Sequence, residues 1–228
     1  MDEPFHRTLD SAVGGGNLSI GMSGPDIGTA PVALAVHGIT GSHRSFRAIA
    51  RHLGQDLTVL APDLRGRGAS SQLPTPEGLD THVADLVRVL DGAGVERAVL
   101  VGHSMGAYIV ARLAAAHPQR ASAVVLIDGG IPLPVPEGVD LDDLLAAVLG
   151  PAFARLRMEW DSLDAYRQFW RAHPAFARAG AWNDDIGDYV DYDLAGTTPP
   201  LRSRVSEAAV KADGRGVLDA AATRRALG

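Results

Sequence analysis

The stretch V-L-V-G-H-S-M-G-A-Y-I-V, Val99 to Val110, places a serine between two glycines where one periodicity gives way to another. Before Ser104 the residues form a short, continuous apolar run, as in a strand buried on both faces. After it the chain is rich in helix formers. Glycines at 102 and 106 permit a sharp turn that would hold the hydroxyl out at the strand's C-terminal edge. The helix that follows would point its free N–H groups, and the positive end of its dipole, at the same spot. A serine hydroxyl is a weak nucleophile until a base takes its proton, so the stretch predicts a nucleophile and asks for its base. The plainer alternative is a serine tolerated in a tight strand-to-helix turn. The pattern G-x-S-x-G alone is weak, and its setting carries the reading.

Outward from this turn, strands and helices alternate. Arg7–Val13 and Asn17–Met22, joined by glycines, read as a β-hairpin. Buried strands are expected at Pro31–Gly38, Leu57–Asp63, Arg97–His103 and Ala123–Asp128. Helices are expected at Ser45–Leu53, Leu79–Leu90 and Met105–Ala116, each with apolar residues on one face. Such alternation implies an α/β fold, a mostly parallel sheet with helices on both faces. After Asp128 the texture changes: a Pro/Gly-rich exit leads to helical segments near Leu141–Arg157, Leu163–Ala172 and Asp184–Leu194. All three tryptophans fall in this half. The tail from Arg215 onward is helix-prone. Two regions follow, a core over 1–130 and a helical region over 131–228.

The composition bounds the function. The chain has 228 residues, 46% hydrophobic and 21% charged, values ordinary for a soluble globular protein. A net charge of −6 argues against nucleic acid or an anionic membrane surface as partner, since both favour basic patches. The absence of cysteine removes disulfides and thiol catalysis. The N-terminus is acidic and lacks an apolar core, unlike a signal peptide, and no apolar run approaches the ~18 residues of a membrane span. A cytoplasmic protein acting on a small molecule without a cofactor is expected.

A second element agrees with Ser104. H-G-I-T-G, His37–Gly41, ends the first central strand in a glycine-containing loop. The backbone N–H of Ile39 there, with that of Met105, could hold an oxyanion. The bland reading is a simple turn glycine after a strand. H-G-I-T-G-S, A-P-D-L-R-G-R-G-A-S, V-G-H-S-M-G and V-L-I-D-G-G together resemble successive landmarks of the α/β-hydrolase superfamily, in its esterase, lipase and C–C-bond hydrolase branches. The resemblance covers residues 7–130, and the helical stretch after 132 resembles the lid of many members. It implies a serine hydrolase acting through an acyl-enzyme on a small uncharged ester or related carbonyl compound. P-D-L-R-G-R-G is in that family mainly a structural turn. The resemblance also implies a triad in the order serine, acid, histidine, with the acid after a seventh strand and the histidine after an eighth. The sequence shows neither strand.

Each histidine is therefore weighed as the base. His103 adjoins Ser104, and the turn should point neighbouring side chains apart. His117 ends the helix begun at Met105, about 18 Å away at the ~1.5 Å rise per residue of a helix. His52 and His82 read as surface or satisfied residues, His6 precedes the sheet, His37 reads as structural, and His43 sits on a loop near the mouth. His173 either swings over the serine or ends a helix before Pro174. Asp128 is the candidate acid, or else an acceptor for the turn that follows it. The acidic run Asp184, Asp185, Asp188, Asp191 and Asp193 reads as a solvated helix face. Trp160 and Trp170 either pack helices together or roof an apolar cleft as substrate-binding residues. Without further strands, Ala123–Asp128 would be an apolar sheet edge able to self-associate. The simplest expectation is the N-terminal part of a longer hydrolase; the runner-up is a catalytically inactive remnant or small-ligand-binding module. A haloperoxidase-like member would use the same constellation.

Overall fold

Neighbouring residues on the central strands point into different clusters, and that alternation fixes the layers. The computed structural model describes residues 3–135, 138–178 and 180–227. In β3 (Val32–Val36), Leu34 and Val36 face a cluster that contains Leu86 and Ile109, whereas Ala35 faces Phe46 and Ala50. In β4 (Thr58–Pro62), Leu60 takes the first side and Val59 and Ala61 the second. A strand buried on both faces requires helices on both faces, as its unbroken apolar sequence implied. Helix α1 (Arg47–Leu53) lies on one side; α2 (Leu79–Gly92) and α3 (Met105–Ala116) lie on the other.

The six-stranded sheet runs in the order β1-β2-β4-β3-β5-β6, with β1 at Arg7–Val13, β2 at Gly16–Ser23, β5 at Ala98–His103 and β6 at Ala121–Ile127. The hairpin β1–β2 joins antiparallel to β4, and β4, β3, β5 and β6 are mutually parallel. β6 is an edge. Ser122 to Val125 are exposed, with Val124 at 41% and Val125 at 42%.

Beyond the sheet come α4 (Leu141–Leu156), α5 (Leu163–Ala172), α6 (Asp184–Asp193), a two-residue ribbon of β7 (Leu194–Ala195) and β8 (Arg202–Ser203), then α7 (Glu207–Leu218) and α8 (Ala220–Leu227). The helix-prone tail is helical, as two helices broken at Asp219, and α7 starts well before Arg215. Both pack against α3. No helix among the described residues is long and apolar enough to cross a membrane.

Ion pairs fasten α6 and α7 to the sheet core and join the later helices to one another. Asp213 of α7 lies 2.5 Å from the Arg67 guanidinium and 3.0 Å from His82 Nε2, all three side chains fully buried. Burial alone would raise the Asp213 pKa, but the His82 hydrogen bond and charge, with Arg67, hold it below the usual carboxylate range. Asp63, at the end of β4, accepts from the His43 and Ala69 amides and from the Tyr192 hydroxyl at 2.6 Å. The acidic run of α6 is not a solvated face except at Asp184, which is exposed. Asp185 binds Arg47 and Arg51, Asp191 binds Arg167, and Asp193 binds Arg155 at 2.7 Å. The run was misread because its partners lie on α1, α4 and α5, far away in sequence.

Candidate active site

Ser104 joins β5 to α3 with φ +52° and ψ −121°, a conformation rare for any residue with a side chain. Its surroundings enforce that strain. The Ser104 N–H donates to Ile127 O at 2.8 Å, and its carbonyl accepts from Ala107 N–H at 2.9 Å. A Cβ on Gly106 would overlap the carbonyl oxygen of Val36, one on Gly102 would strike the Gly106 carbonyl, and one on Gly129 would press on the carbonyl of Ser104. The glycines are therefore required by three close backbone approaches around one turn. Such a conformation costs about 1–3 kcal/mol and persists where the packing over-determines it.

The loop after β3 lies against this turn. A Cβ on Gly38 would stand 3.2 Å from the Ser104 Cβ. Gly41 N–H donates to Gly38 O at 3.0 Å, and the Arg67 Nε donates to Ile39 O at 3.0 Å, which fixes the loop from both sides. Among the described residues, neither the Ile39 nor the Met105 amide has a hydrogen-bond acceptor. Ile39, Ser104, Met105 and Asp128 all line one cavity of about 340 Å³. The rest of its wall is mostly apolar, from α4 and α7 through Leu145, Val148, Leu149, Val217 and Leu218, and from Ile131 and Leu133 after β6. Sequence reading missed this wall, although the spacing of Leu145, Val148 and Leu149 was a usable helical signal.

Asp128 follows β6 with φ +51° and is exposed. It accepts no hydrogen bond among the described residues, so the turn after β6 is not what occupies it. Tyr108, one turn into α3, shares the cavity, and its hydroxyl is pushed to higher pKa by burial and then by the Asp128 charge. Trp160 and Trp170 do not line this cavity. They pack with Tyr166, Phe169 and Val190 where α5 meets α6, and Trp160 exchanges two backbone hydrogen bonds with Leu201. The aromatic face of α5 turns toward α6 and takes Trp170 with it, while Trp160, just before α5, packs on Tyr166 and Phe169.

No histidine lines the Ser104 cavity among the described residues. His37 is fully buried; its Nε2 accepts from Leu64 N–H at 3.0 Å, which places the proton on Nδ1, 2.8 Å from Gly38 O. Burial pushes its pKa down to about 4. His43 is held by Asp63 and His82 by Asp213. His103 faces a separate cavity shared with Arg44 and Tyr189, and His173 packs on Trp170 and Phe176.

Relatives share this scaffold. A family model described as the alpha/beta hydrolase fold matches residues 31–181. The chain is 34% identical over 165 residues to a lipase, LipV, of Mycobacterium tuberculosis, a match covering 71% of this chain and 55% of that one. It is 38% identical over 130 residues to epoxide hydrolase A of the same organism, covering 56% of this chain and 39% of that one. The crystal structure of E-2-(acetamidomethylene)succinate hydrolase superposes with a TM-score of 0.71 at 22% identity, over 92% of this chain and 73% of that one. The chain spans about half or less of the length of the curated relatives it matches. With the turn at Ser104, the sheet order and these matches agreeing, the chain belongs to the α/β-hydrolase family.

Proposed function

We propose that the chain is a serine hydrolase for a small uncharged ester or related carbonyl compound. The observation that carries this reading is a serine at positive φ, on a strand-to-helix turn, opening onto a mostly apolar cavity. In this mechanism the Ser104 Oγ attacks the carbonyl carbon while its proton passes to a base. The N–H groups of Ile39 and Met105 stabilise the oxyanion, the alcohol departs, and water hydrolyses the acyl-enzyme. Asp128 at the cavity rim is the acid that would orient the base. The leucines and valines of α4 and α7 suit an apolar acyl group, with the helical region serving as a lid. Similarity to a lipase supports an ester substrate, and the acidic, cysteine-free composition suits a cytoplasmic setting.

The base is the open element, since no imidazole lines the cavity among the described residues. That observation favours a second reading, a small-ligand-binding module without turnover. One experiment separates the two. The chain is treated with a fluorophosphonate probe and with an activated acetate ester, each with and without added imidazole. Labelling confined to Ser104, lost in Ser104→Ala, with ester turnover raised by imidazole, supports the hydrolase. A chain that binds apolar esters but is neither labelled nor rescued by imidazole is the binding module.

A further inference from the structure

We propose that Arg67 is a positioning residue for the reaction at Ser104: held in place by Asp213 of α7, its guanidinium sets the Ile39 amide that would face the oxyanion. The inference rests on the serine-hydrolase reading and deepens it, because it ties the oxyanion site to the helix that walls the acyl cavity.

The turn after β4 carries two buried arginines with different tasks. Arg65 forks onto Asp85 and donates to Gly14 O, which clamps the β1–β2 hairpin to α2. Arg67 instead donates from Nε to Ile39 O, and from Nη1 to Arg65 O and to Asp213. Among the described residues no other group donates to Ile39 O. On the other side of Ile39, the Gly38 carbonyl accepts from Gly41 N–H and from His37 Nδ1. A peptide unit is planar, so anchoring both carbonyls fixes the two planes that flank the Ile39 Cα and leaves its φ and ψ no freedom. The Ile39 N–H belongs to the first plane, and Arg67 holds the second.

Helix α7 supports this turn at several points. Asp213 lies 2.5 Å from Arg67, and Ser206 N–H donates to Gly66 O at 2.8 Å. Gly66 sits so close that a Cβ on it would overlap Ala209. The same helix presents Gly214, Val217 and Leu218 to the Ser104 cavity. Acyl wall and oxyanion amide therefore share one support.

Fold stability is a weak reason for the arrangement. Arg67, His82 and Asp213 are fully buried, yet Arg67 Nη2 and His82 Nδ1 have no partner among the described residues. Apolar residues of similar volume are often as stabilising as such a buried charged set, or more so. What they cannot supply is the bond to Ile39 O.

The test compares the full chain with Arg67→Met/His82→Leu/Asp213→Leu, which makes the triad apolar. Amide NMR of chain labelled at isoleucine should show the Ile39 resonance shifted and broadened in the variant, with Ile20 and Ile109 of the core unmoved. The second readout is labelling by a butyl fluorophosphonate with added imidazole: the Ser104 Oγ–P bond forms, P–F breaks to release fluoride, and imidazole takes the proton. The limiting rate should fall about ten- to a hundredfold, less than the ~10²–10³-fold cost of losing an oxyanion donor outright. The half-saturating probe concentration should stay the same. A purely structural triad would instead leave the Ile39 amide and the limiting rate as they are. Where the apolar triad fails to fold, Arg67→Gln/Asp213→Asn, a polar pair without the charges, carries the same test. An unchanged Ile39 amide in a folded variant, or an unchanged limiting rate, overturns the proposal and leaves the hydrolase reading standing. An unsubstituted chain that is never labelled overturns the hydrolase reading and the proposal with it, even where the Ile39 amide moves.

Discussion

The sheet core and the later helices are held by different physics. In the core, α1, α2 and α3 begin without any side-chain cap and are positioned by what they bury, such as Phe46, Leu86 and Ile109. Beyond β6 the balance reverses. Helices α4, α5, α6 and α7 each begin at a capping side chain, Asp140, Ser162, Asn183 and Ser206, that accepts from the first turn. Ion pairs tie α7 and α6 to the core, as in Asp213–Arg67 and Asp185–Arg47, and tie α4 and α5 to α6, as in Arg155–Asp193 and Arg167–Asp191. A region fastened by paired charges depends on each partner, because removing one leaves the other buried and uncompensated.

The strongest way to break the comparison is Asp213→Ala. It should cost about 3–5 kcal/mol in urea unfolding, because Arg67 and His82 are left buried without their anion. It should also loosen α7 and with it the Val217 and Leu218 side of the Ser104 cavity. A cavity in the core, Leu86→Ala, belongs to the ~2–5 kcal/mol range of buried leucines but should leave that wall in place. Binding of an apolar fluorescent probe distinguishes them; equal loss of binding in both would erase the distinction between the regions.

A smaller effect sharpens it through pH. His37 titrates at about 4 in the folded core against 6.5 when free. The unfolded chain therefore takes up the proton first, so stability falls as pH drops from 6.5 toward 4 and is fully present above that window. The Asp213 contribution, from a depressed carboxylate, is lost only at lower pH. Urea unfolding at a series of pH values should show the His37 slope flattened in His37→Gln and unchanged in Asp213→Asn. Smallest of all is Ser162→Ala, which should cost about 1 kcal/mol through its lost α5 cap, measurable as a shift in the urea midpoint with activity unaltered.

The same contrast explains what could be read in the sequence. Core strands announce themselves because burial on both faces demands apolar runs: V-A-L-A-V became β3 and T-V-L-A-P became β4, with ends within two residues of expectation. The turn at Ser104 was legible because its glycines answer steric contacts close by in the chain or on the neighbouring strand. Ion pairs leave no such trace. Nothing near Asp213 signals Arg67, 146 residues away, or His82, 131 residues away. The start of α7 was missed for a related reason. Gly214 and Gly216 lower its helix propensity, yet a Cβ there would collide with Leu145 and Leu79. The tryptophans misled because a large aromatic side chain suits a helix seam and a ligand cleft equally well.

The geometry at residue 104 is dictated by its neighbours' missing β-carbons and not by the serine itself. The pedestal is therefore indifferent to the group it carries. Replacing the serine by alanine should leave the turn as it stands, whereas a β-carbon added at Gly102, Gly106 or Gly129 would push the whole perch out of shape.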